Sequence, residues 1–96
     1  MSSPRSRVVL LNLRAPLERS ELPGLIARTC ALLEDETIDE LRCEVAGITP
    51  DAVAVDALAQ LALAARRRGC QARLCGASEE LMALVRFMGL EEVLSG

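Results

Sequence analysis

The sequence predicts an α/β fold, a single domain in which helices gather on one face of a sheet. Segments with strand patterning alternate along the chain with longer segments of helical periodicity, in the order βαβαβα. Two of the strand segments, residues 41–45 and 71–75, alternate apolar and polar side chains, the signature of a sheet with one wet face. A length of 96 residues supports one hydrophobic core and not two.

Each element follows in order. Residues 8–13, VVLLNL, are apolar at both alternating sets of positions and predict a strand buried on both faces, which Ala15 and Pro16 break. Residues 20–33 place Leu22, Leu25, Ile26, Thr29, Leu32 and Leu33 at helical spacing, and Pro23 and Gly24 are tolerable in or near the first turn. The acidic EDETIDE segment, 34–40, reads as a solvated connection. In LRCEV, 41–45, Leu41, Cys43 and Val45 point one way while Arg42 and Glu44 point the other. QARLC, 71–75, sets Ala72 and Leu74 against Gln71 and Arg73 in the same manner.

Between these strands, GITPDAVAVDALAQ opens a central helix. Thr49 is its expected N-cap, Pro50 sits at the first helical position, and Asp51 adds negative charge to the first turn. Arg66, Arg67 and Arg68 complement the negative end of the helix dipole, and Gly69 supplies a left-handed stop. A last helix starts after Ser78 as N-cap, with Glu79 and Glu80 behind it. It is expected to bury Leu81, Leu84, Val85 and Met88 before Gly89 ends it, and Leu90, Val93 and Leu94 then pack the tail back. Helical crossovers of one hand collect all the helices on the dry face of the sheet.

The composition excludes several functions. The apolar share of 51% is mostly Leu, Ala and Val with one aromatic, Phe87, so the core is aliphatic. A net charge of −3 and a pI near 4.9 argue against nucleic acid or an anionic membrane as partner. All 11 cations are Arg, scattered rather than clustered on one predicted face. The start, MSSPRSR, lacks the apolar stretch of a secretory signal, and no apolar run nears the ~20 residues that span a bilayer. A cytoplasmic protein without membrane insertion is expected. The four cysteines, Cys30, Cys43, Cys70 and Cys75, form no C-x-x-C, and no His completes a metal set, so they read as reduced core or near-surface residues.

Nor does the chain hold Lys, Tyr or Trp, which removes the Schiff-base amine and the stacking platforms together with the usual general base. Asp51 and Asp56 stand five residues apart, about 140° around a helix, and make a poor acid–base pair. With no phosphate loop and no metal cluster, no enzyme activity, cofactor or metal is expected. The first turn of the central helix carries the positive signal. Ala52 and Val53 are small and apolar where backbone donors meet solvent, which packing does not require and a surface for another protein does.

These residues together resemble a family. The element order, GITPD before the central helix, RRRGCQARLCGAS from 66 to 78 and ELMALVRFMGLEEVL from 80 to 94 are similar to the STAS domain of anti-sigma-factor antagonists, over residues 8–94. The resemblance implies a mixed sheet of four or five strands, here four or shortened, with helices packed on one side. Residues 1–7 then form a flexible tail and 8–96 the domain; the strand that usually precedes Val8 is missing or shortened, which leaves an edge that a partner or a second copy could pair.

The resemblance also implies a binding role. In the antagonist branch the domain captures an anti-sigma-factor kinase, which ends the complex by phosphorylating a Ser or Thr just after an Asp at the start of the central helix. That Asp matches Asp51, with Asp56 a weaker match, and the hydroxyl positions fall on Ala52 and Val53. The switch residue is absent, Thr49 being the nearest hydroxyl. The expected partner surface comprises Pro16, Glu18, Thr49, Pro50, Asp51, Ala52, Val53, Asp56, Ala77 and Ser78. The alternative is a transport-associated STAS module that binds an ABC-transporter subunit, lipid or nucleotide.

Overall fold

The computed structural model describes residues 7–14, 17–34 and 38–95. Three parallel strands of ordinary length build the sheet: β1 (Arg7–Arg14), β2 (Ile38–Gly47) and β3 (Gln71–Cys75). A two-residue β4 (Leu94–Ser95) adds a short parallel bridge beside β3, so the spatial order is β1-β2-β3-β4. The sheet among the described residues is therefore parallel and not mixed. Each link between the long strands carries a helix, α1 (Leu22–Leu32) or α2 (Ala52–Arg67), and a helical crossover returns the chain in the same direction. The expected tail up to residue 6, and any strand before Val8, lie outside the described residues; Arg7 belongs to β1.

The one-faced reading of the central strands holds. Leu41, Cys43 and Val45 of β2 and Ala72 and Leu74 of β3 are buried, while Glu40, Arg42, Gln71 and Arg73 line the open face. Glu40 is fixed there by Arg42 at 2.8 Å and by Arg73 at 3.6 Å. β1 corrects the expectation of a strand buried on both faces. Val9, Leu11 and Leu13 face the core, but Val8 and Leu10 are 40% and 64% exposed. The helices cover one side only, so among the described residues no element shields the other row of this apolar strand. β2 is also longer than the alternation implied: it takes in Ile38, Asp39 and Glu40 from the acidic connection, because Ile38 reaches the core.

The helical layer is built around α2. Ala54, Ala57, Leu58, Leu61, Ala62 and Ala65 are buried against the sheet, and the small side chains allow the close approach that the aliphatic core needs. A 3₁₀ turn (Arg19–Glu21) precedes α1, where Pro23 lies in the first turn as its missing donor allows. Thr29 is fully buried in α1, and its hydroxyl donates to the Leu25 carbonyl at 2.9 Å. Leu32, expected inside, is half exposed at the last turn. Gly69 ends α2 with φ +76°, and its amide and that of Cys70 donate to the Arg66 and Ala65 carbonyls, closing orphan acceptors of the helix end.

α3 (Glu79–Phe87) buries Leu81 and Val85, with Leu84 half-buried. Met88, expected in the core, is 59% exposed at the C-cap of α3, where its amide donates to the Leu84 carbonyl at 2.9 Å. Gly89 then turns the chain with φ +71°, and Leu94 is buried as the tail packs back. None of the helices among the described residues is long and apolar enough to cross a membrane.

Candidate functional site

Parallel strands joined by helices bring the segments that follow β1, β2 and β3 to one end of the sheet, where Arg14 pairs with Gly47 and Glu44 with Cys75. Glu18, Thr49 to Val53, Ala77 and Ser78 all belong to these segments. Pro16, expected with them, lies outside the described residues. Gly76 has φ +72°, and a Cβ there would stand 3.0 Å from that of Ala46, so the turn out of β3 is shaped by close approach to the neighbouring strand.

The opening of α2 differs from the sequence reading in one respect. The N-cap is Asp51 and not Thr49: its carboxylate accepts from the Ala54 amide at 2.8 Å, with the backbone extended at φ −136° and ψ 179°. Asp is at least as good a cap as Thr, and Pro50 stands before the cap instead of at the first helical position. Thr49 is left exposed, with no part in the cap. Ser78 caps α3 as expected, its hydroxyl oxygen accepting from Leu81 at 3.1 Å. Asp56 turns to Arg19, whose guanidinium meets it at 2.9 Å and ties the 3₁₀ turn to α2. Both carboxylates thus have separate structural tasks.

An apolar recess of about 550 Å³ lies between the first half of α2 and the end of α3. Ala52, Val55 and Ala59 form one wall, Leu84, Met88 and Leu90 the other, and Arg19, Pro50, Asp51 and Asp56 stand around them. At its mouth Phe87 is 85% exposed. Of the expected surface, the recess collects Pro50, Asp51, Ala52 and Asp56. Glu18, Thr49, Val53, Ala77 and Ser78 are not among its lining residues, and Val53 packs instead against the core. Sequence reasoning missed Arg19, Val55, Ala59, Leu84, Phe87, Met88 and Leu90 as site residues. The available signal was Phe87 itself, the one aromatic, placed off the Leu81–Val85 stripe of its helix.

Two buried thiols are chemically quiet. Burial, and next to it the neighbouring Cys75, push the Cys43 thiol from 9.0 up to about 12. Burial is also the main cause raising Cys70, followed by Asp39 and against the opposing pull of Arg68, and its thiol donates to the Ile38 carbonyl at 3.1 Å. Among the described residues no group of His, Cys, Asp and Glu is arranged to hold a metal ion.

The order of elements, the single covered face and the loops gathered at one sheet end define a small α/β domain, an architecture compatible with a STAS-like fold. In the solved structures the chain is similar to a sulfate transporter family protein from Wolinella succinogenes, with 21% identity, a TM-score of 0.66, and coverage of 92% of this chain and 75% of that one. At that identity the likeness is one of fold. No protein-family model matches the chain, and neither does any curated protein.

Proposed function

We propose that this chain is a non-catalytic docking module of the transport-associated STAS kind, which grips a transporter subunit through the start of α2 and the end of α3. The observation that carries the reading is the apolar recess beside Ala52 and Val55, with Phe87 and Met88 held out in water at its mouth. A large aromatic and a Met around a small-residue floor supply the anchor chemistry of protein interfaces. The likeness in fold to a sulfate transporter family protein supports the transport setting over others. A binding role in place of catalysis is supported by the inventory: the chain has no His, Lys or Tyr, and Asp51 and Asp56 are engaged in a cap and an ion pair.

A second reading draws on the same face. As an anti-sigma-factor antagonist the domain would hold a kinase, and with Ala52 and Val53 after Asp51 that kinase would have no hydroxyl to phosphorylate there. Affinity capture with the wild type and with A52R and F87D, followed by mass spectrometry, separates the two. A transporter subunit recovered by the wild type and lost with both variants supports the first reading; a GHKL-type kinase with the same pattern supports the second. Recovery of neither, or capture indifferent to both substitutions, overturns docking at this face. Thermal shift with lipids or nucleotides tests the small-ligand form of the transport reading, in which a ligand of the native state raises the melting temperature.

A further inference from the structure

A second recess, of about 790 Å³, lies on the other flank of α2, between it and α1. Its apolar residues are Ile26, Leu33, Leu63 and Ala64, and Leu63 is 51% exposed. Arg67 and Arg68 stand at one side and Glu34 at another. Phe87 and Met88 protrude on the opposite flank, with Arg86 before them and Glu91 and Glu92 just after Leu90, all three exposed. Among the described residues the hollow thus carries two cations and one anion around an apolar floor, while the tip is flanked in the chain by Arg86, Glu91 and Glu92 and stands beside Arg19, Asp51 and Asp56 of the first recess, an excess of negative charge. Among the described residues no ion pair involves Arg67 or Arg68, and both are exposed.

We infer that the occupant of this hollow is a second copy of the chain, with the Phe87–Met88 tip of each copy seated between α1 and α2 of the other. The complementary sets of charge argue for it, since Glu91 and Glu92 suit Arg67 and Arg68 while Arg86 suits Glu34. Tip and hollow flank the same helix on the solvent side of one layer. A two-fold axis crossing α2 therefore lets both contacts form together and closes the assembly as a dimer. The tip is shared with the proposed docking face, so a copy engaged in the dimer cannot present Phe87 to another partner. The hollow is not shared, and this separates the two ideas.

Sedimentation velocity across a micromolar to millimolar range tests the contact. The wild type is expected to pass from monomer to dimer as concentration rises. F87D and L63D, checked for folding by circular dichroism, should each weaken association by about tenfold or more. Mixing F87D with L63D should restore part of it, because one intact tip then meets one intact hollow. R67E/R68E and E91R/E92R, all at exposed positions, should each weaken self-association and should pair with one another better than either pairs with itself. A wild type that stays monomeric throughout, an L63D variant that associates as tightly as the wild type, or mixtures that recover nothing would overturn the inference. Because Leu63 lies outside the docking face, L63D should still capture the partner of the wild type, so loss of the dimer and loss of docking are read separately.

Discussion

Asp51 and Ser78 each close a helix start with a side-chain oxygen three residues before the amide they accept from. Removing either oxygen leaves a first-turn donor without its partner. D51A and S78A should each lower stability by about 1 kcal/mol in urea unfolding, while T49A should stay within a few tenths, since Thr49 has no capping task. The thiols give a second test at this scale. The fold favours the neutral form of Cys43, so its contribution is intact below the unfolded value near 9.0 and is lost as pH rises toward about 12. Stability should fall across that window, and less steeply in C43A. In alkylation near neutral pH, the half-buried Cys30 and Cys75 should react before Cys43 and Cys70.

Among the elements, β1 separates hydrophobic composition from burial. Its sequence reads as a two-faced interior strand, yet Leu10 stands in solvent while Leu13 is buried. L10K should therefore change stability by less than about 0.5 kcal/mol in denaturant melts, whereas L13A should cost about 2 kcal/mol or more. Much of the architecture was legible in the residues: the alternation in β2 and β3, the Ser78 cap and the glycine stops follow from local pattern. The exposed row of β1 was legible only by setting its apolar run against the one-faced layer of helices, because such a run does not by itself show that both of its faces are covered. Met88 escaped for a similar reason. Its spacing from Leu81 is helical, but at the end of α3 it lines the surface recess and not the core, which only tertiary packing decides. The recess was half legible, since Ala52 and Asp51 lie in one marked segment while Phe87 and Leu90 join them only through tertiary packing.

For the whole molecule, stability rests on one aliphatic core between the open-faced sheet and three helices. Leu58 and Leu61 are completely buried at its centre, and truncating either to Ala should cost about 2 to 5 kcal/mol by calorimetry or urea melts, a large share of what a domain of this size holds. Phe87 adds nothing comparable to that core. Fully burying such a ring is worth about 1.5–3 kcal/mol, and in the lone chain nearly all of that remains unrealised. The fold thus keeps in reserve an increment that corresponds to roughly ten- to a hundredfold in affinity, released only when another surface takes the ring out of water. Its sole aromatic residue contributes to the stability of whatever assembly the molecule enters, and hardly at all to its own.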